Sequence, residues 1–103
     1  MDKVIRDGKV AVLVAPGYGA GWYTWSPGCQ EVLFDPDVVA WVENGKVGPV
    51  PDMEEKYGLD HFYDGGSDDL IIEWVPVGTK FIIEEYDGAE HLVTYDEIIF
   101  MVA

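Results

Sequence analysis

Residues 9–14 read Lys-Val-Ala-Val-Leu-Val, apolar at nearly every position, a pattern that predicts a central strand covered on both faces. Residues 3–6 precede it across Asp7-Gly8, the pair that closes tight hairpins because glycine accepts positive φ without a Cβ clash. Pro16 ends the run, since proline cannot donate to a ladder. The final third returns to the same kind of pattern. Residues 70–75 and 80–86 are joined by Pro76-Val77-Gly78-Thr79, Asp87-Gly88 makes a second turn, and residues 91–95 and 98–103 complete a meander. Helix signals lie between these β segments. Asp35 stands as an N-cap, Pro36 suits the first turn, Asp37 complements the positive end of the dipole, and Gly45 fits the position past the end. Val38, Trp41 and Val42 fall at i, i+3 and i+4 and predict its buried stripe. Residues 52–58 predict one or two further turns, capped by Asp52 and closed by Gly58. The expected fold is α+β, a single domain over 1–103. It comprises one curved antiparallel sheet, N-terminal hairpin plus C-terminal meander, with one or two short helices packed on one face.

Composition narrows the class. In 103 residues about half are apolar and 14% aromatic, too many for a disordered chain. No apolar stretch approaches the roughly 20 residues that span a bilayer, and the first residues lack the apolar segment of a signal peptide. The single cysteine, Cys29, excludes an internal disulfide and fits a reducing compartment, so the expected location is cytoplasmic. Charge is the most unusual property. Twenty acidic residues face six basic ones, a formal net charge of −14. Residues 1–51 hold six acids against four bases; residues 52–103 hold fourteen against two. Such a field repels nucleic acid and anionic membranes and attracts basic surfaces.

Between strand and helix, Gly17-Tyr18-Gly19-Ala20-Gly21 raises the question of phosphate binding. A dinucleotide fingerprint needs a third glycine where Trp22 stands, and a helix where Tyr23-Thr24-Trp25-Ser26-Pro27-Gly28 follows. Without a helix N-terminus the anion-binding dipole and free N–H groups are absent. A Walker loop needs a lysine, and none lies between Lys9 and Lys46. The loop therefore reads as a turn that lets Trp22 and Trp25 fold back on the sheet. Tyr18, Trp22, Tyr23 and Trp25 cannot all point inward, which makes residues 16–25 a candidate aromatic recognition surface for a partner or ligand.

Other groupings carry less. Asp64, Ser67, Asp68 and Asp69 offer hard oxygen ligands around Gly65-Gly66, but the alternation and distal glutamate of an EF-hand are missing. Cys29, His61 and His91 are too few for structural zinc, and nothing local marks Cys29 as an activated nucleophile. Glu73, Glu84 and Glu85 sit on expected strands, where a carboxylate pair would need a buried member to act as a general acid. The residues thus assign no catalytic set, no metal and no cofactor.

Residues 3–13, Pro16-Gly17-Tyr18-Gly19-Ala20-Gly21-Trp22-Tyr23-Thr24-Trp25 and Leu33-Phe34-Asp35-Pro36-Asp37 resemble a group of small acidic proteins encoded by phages and prophages. Ile72-Glu73-Trp74-Val75-Pro76, Gly78-Thr79-Lys80-Phe81 and Glu85-Tyr86-Asp87-Gly88 share the likeness, which leaves out about 44–64. It implies a viral accessory protein and brings no catalytic residues.

The expected function is non-enzymatic. Glu54, Glu55, Asp60, Asp64, Asp68, Asp69, Glu84, Glu85, Asp87 and Glu90 would form one negative face that imitates the field of a nucleic acid. That face would occupy the basic, nucleic-acid-binding surface of a host or defence protein, with Tyr18, Trp22 and Tyr23 as short-range anchors. The alternative is a small-molecule or nucleotide-signal binder using the loop 16–25. Net charge argues against an anionic ligand there unless Lys3, Arg6 and Lys9 lie close to that loop.

Overall fold

A computed structural model of the chain describes residues 2–25 and 28–95. Strands β1 (Ile5–Arg6) and β2 (Lys9–Val14) are followed by helices α1 (Pro36–Glu43) and α2 (Met53–Tyr57), then by β3 (Ile71–Pro76), β4 (Phe81–Tyr86) and β5 (Ala89–Thr94). Single 3₁₀ turns occupy Gln30–Leu33 and Ser67–Asp69. Both Asp-Gly pairs make the expected turns. Asp7 and Gly8 have φ of 52° and 75°, Asp87 and Gly88 of 50° and 83°, the double left-handed conformation that matches strand twist.

β2 is central, with antiparallel neighbours β1 and β3, and pairs β3 from Lys9↔Pro76 to Val14↔Ile71. Its side chains alternate between two cores. Ala11, Leu13 and Ala15 face one with Trp22, Val38, Val39, Met53 and Phe62. Val10, Val12 and Val14 face the other with Leu33, Phe34 and Val75, where Phe81, Ile83 and Leu92 of the β4–β5 hairpin also pack. Each such valine or leucine removed from water contributes about 1.5–3 kcal/mol, so this one strand is the common wall of the molecule.

The antiparallel α+β class matches the sequence pattern, while the strands of the described residues divide into sheets of three and two rather than one curved sheet. Pro76 ends β3 without an N–H, and Gly78, at φ 86°, turns the chain away. β4 then crosses the second core, where Phe81 meets Phe34 edge-on at 6.2 Å. β5 meets the chain just past the end of β2, where Glu90 N donates to Ala15 O at 2.9 Å. The strand expected over 98–103 lies outside the described residues.

α1 is capped as its sequence indicates, Asp35 Oδ1 accepting from Val38 N at 2.9 Å. Its deepest side chains are Val38 and Val39, with Trp41 and Val42 half-buried against the same core. α2 is capped by Asp52, accepting from Glu55 N, and closed by Gly58 in the left-handed region at φ 64°. No helix among the described residues is long and apolar enough to cross a membrane.

Candidate functional site

Three distant stretches meet where β2 leaves the sheet: the loop 16–25, the turn 63–69 and the β4–β5 turn. Backbone bonds do the joining. Gly19 N donates to Asp87 O at 2.5 Å and Gly21 N to Gly88 O at 2.8 Å, while Ala20 N closes a local turn on Gly17 O. The 63–69 turn lies flat against the loop, so that a Cβ on Gly66 would stand 2.0 Å from Gly21 O. Tyr63 reaches across with its hydroxyl to Gly19 O at 3.3 Å.

Glu90 holds the junction together from inside. Its side chain is completely buried. Oε1 accepts from Ala15 N at 3.1 Å, and Oε2 accepts from Trp22 N at 3.1 Å, Thr24 N at 2.8 Å and Thr24 Oγ1 at 2.6 Å. One carboxylate thus satisfies three main-chain donors and a hydroxyl that burial would otherwise orphan. Trp22 is equally buried. Its Nε1 donates to Val32 O at 3.0 Å and its ring meets Phe62 edge-on at 4.8 Å.

Two sequence expectations are corrected here. Glu90 does not belong to an outward acidic face, because its carboxylate is spent on the loop's own amides. Trp22 is no contact anchor, because it is part of the core. The same bonds answer the phosphate question: the amides of Gly19, Ala20, Gly21, Trp22 and Thr24 already donate within the chain, which leaves them no hydrogen for an anion.

What the junction presents outward is aromatic and acidic. Tyr18 is 79% exposed and Tyr86 68%, their rings edge-on at 6.4 Å. Trp25, 40% exposed, lies across Gly21 and Gly88 and tilts against Tyr63 at 4.9 Å. Asp64, Asp68, Asp69, Glu85 and Asp87 are exposed around them. Asp69 rests on Gly17, where a Cβ would come within 2.8 Å of its Cγ, and Glu85 Oε2 accepts from Gly88 N at 3.3 Å. Asp64 extends the band, since it lines a groove of about 610 Å³ with Asp52 and Glu54. Glu84 sits two residues before Tyr86 on the same face of β4, as strand alternation requires. Glu55 and Asp60 are exposed on α2 and the segment after it. Lys46 is held at the margin by its hydrogen bond to the Asp68 carbonyl.

Three of the six cations lie at the opposite end. Lys9 starts β2, about 20 Å from Ala15 by the rise of a strand. Lys80 precedes β4, and Val77 N donates to Gly8 O, which brings the two lysine-bearing segments together. Asp7 shares that end. Arg6 is engaged by Glu43, with Nη2 to Oε1 at 2.9 Å, and stacks over Trp74 at 5.4 Å. Among the described residues, charge is therefore unevenly spread along β2 and β4.

A second buried carboxylate is structural. Asp35 caps α1 and also accepts from Tyr57 Oη and pairs with Lys56 Nζ at 2.6 Å, Lys56 reaching Asp37 at 2.8 Å as well. Burial lowers the Lys56 pKa, but its hydrogen bonds to Asp35 and Asp37 outweigh that and hold it above the ordinary value. Burial first, then the bond to Asp35, raises Tyr57. A lysine held protonated and a tyrosine held neutral are poor bases and nucleophiles. Burial likewise pushes the Cys29 thiol up, and its 3.2 Å hydrogen bond to Glu31 adds to the shift. Among the described residues no three of His, Cys, Asp and Glu gather as a metal ion would require.

The Asp35 cluster predicts alkaline sensitivity. Both Lys56 and Tyr57 bind their proton more tightly when folded, so their contribution is complete below about pH 10 and is lost progressively as pH rises above it. Urea midpoints at about pH 8 and pH 11 check this, with Tyr57→Phe expected to flatten the decline. An equally steep decline in that variant would contradict the assignment.

Comparison with known protein families, curated proteins and solved structures finds no match.

Proposed function

We propose that this protein acts by binding, not by catalysis, and that its acidic, aromatic end occupies the basic, nucleic-acid-binding surface of a partner protein. The observation that carries the reading is the convergence of three distant segments on one end, with five exposed carboxylates around Tyr18, Tyr86 and Trp25. Carboxylates at that density attract a basic surface over a Debye length, about 8 Å at physiological salt. Arginine and lysine side chains that arrive there meet exposed aromatic faces on which a cation gains about 0.5–2 kcal/mol. Tyr18, Tyr86 and Trp25 take the anchoring role expected of Trp22. In keeping with the likeness to phage-encoded proteins, the partner is a protein of the infected cell, a defence nuclease being the kind such a surface suits, and the complex forms in the cytoplasm.

Affinity capture from host lysate tests this with the native chain beside D64N/D68N/D69N/D87N. The native chain is expected to retain a basic protein at about 50 mM salt, to release it at about 500 mM, and to lose it to added duplex DNA. The fourfold variant retains at least about tenfold less. Retention that ignores salt, DNA and the four substitutions would overturn the reading.

A further inference from the structure

A pocket of about 570 Å³ opens on the far side of β2, between the N-terminal segment, the Gln30–Leu33 turn and the start of β4. It belongs to the second core, not to the acidic end. Tyr23, Phe34 and Phe81 supply its aromatic walls, and Lys3 and Lys80 stand at it. Two of the chain's six cations thus serve one cavity in a molecule of net charge −14. Lys3 is kept there by its ammonium, 4.6 Å above the Phe34 ring. Gln30 and Thr79 add side-chain groups that can donate and accept. The volume lies in the range of small-molecule sites.

From this combination we infer that the pocket binds a small planar aromatic anion, a ring carrying one phosphate or carboxylate group. The ring stacks among Tyr23, Phe34 and Phe81, and the anionic group sits between Lys3 and Lys80. The sequence expectation placed a small ligand on the loop 16–25 and, for an anion, required Lys3, Arg6 and Lys9 beside it. Of the loop's aromatics Tyr23 lines this pocket, and of those three cations Lys3 does, with Lys80 as the second positive charge. The glycines of the loop take no part, because none of them lines the pocket.

Titration of the ¹⁵N-labelled full chain tests the inference, with adenosine monophosphate, benzoate, adenosine and inorganic phosphate as separate probes. At least one of the two ring-bearing anions is expected to shift the Thr79, Lys80 and Phe81 amide resonances saturably at or below about 1 mM. Adenosine and phosphate alone bind at least about tenfold more weakly, since each lacks half of the recognised chemistry. Saturation by adenosine monophosphate alone assigns a phosphate ester, and by benzoate alone a carboxylate. K3A/K80A, checked for an unchanged β2 spectrum, lowers the affinity of the bound probe about tenfold. Silence of both anions, equal binding of adenosine, or undiminished binding by K3A/K80A would overturn it.

Discussion

Glu90→Ala is expected to lower stability by about 4 kcal/mol, a fall in Tm of at least about 15 °C for a domain of this size. The side chain touches no solvent. Its removal strands the amides of Ala15, Trp22 and Thr24 and the Thr24 hydroxyl, each of which carries about 1–3 kcal/mol of unmet desolvation unless water enters. A native stability of about 5–15 kcal/mol leaves little after such a loss. Glu90→Gln separates volume from chemistry. It keeps one oxygen, which can still serve the three donors at the Oε2 position, but sets an NH₂ group against Ala15 N, so about 2 kcal/mol is expected. Urea denaturation of the three chains measures the series. Glu90→Ala within about 1 kcal/mol of the native chain would contradict the role given to the carboxylate.

Gly66→Ala is expected to be nearly as severe, about 3 kcal/mol, for a steric reason. Here the backbone of the 63–69 turn touches the backbone of the glycine loop, and a methyl group would lie 2.0 Å from Gly21 O and 2.6 Å from the Ala20 carbonyl carbon. Neither atom ends a flexible side chain, so the two segments must part. That parting would also separate Asp64, Asp68 and Asp69 from Tyr18 and Asp87, and binding should fall with stability. Gly45→Ala is the control. Gly66 has an ordinary φ of −89°, whereas Gly45 is at 83° but meets nothing within 4 Å, so Gly45→Ala should lose about 1 kcal/mol from conformation alone and leave binding intact. A loss at Gly66 no larger than that at Gly45 would show that the contact with Gly21 and Ala20 does not govern Gly66.

Local signals in this chain are clear and long-range ones faint. β2, the two Asp-Gly turns and the caps of α1 and α2 follow from neighbouring residues, because turn geometry and capping are local chemistry. The acidic and aromatic residues were also visible as types. Their shared end was not, because it depends on bonds such as Gly21 N to Gly88 O between segments far apart in the chain. Glu90 shows the same limit most sharply. Its partners include main-chain amides 68 and 75 residues away, and an amide leaves no mark on the sequence. Beside Glu84, Glu85 and Asp87 it reads as one more surface acid. Asp35 was legible as a cap, while its pairing with Lys56 and Tyr57 required the fold.

The outward-facing chemistry of the three-segment junction can be read residue by residue. The ¹⁵N-labelled chain titrated with an arginine-rich peptide at about 50 mM and about 500 mM salt gives that reading. Saturable shifts at Tyr18, Asp69, Tyr86 and Asp87 are expected at low salt and fade at high salt, with Lys9 and Lys80 unmoved. Shifts spread evenly over Glu55, Asp60 and the β1–β2 end, or shifts indifferent to salt, would contradict it.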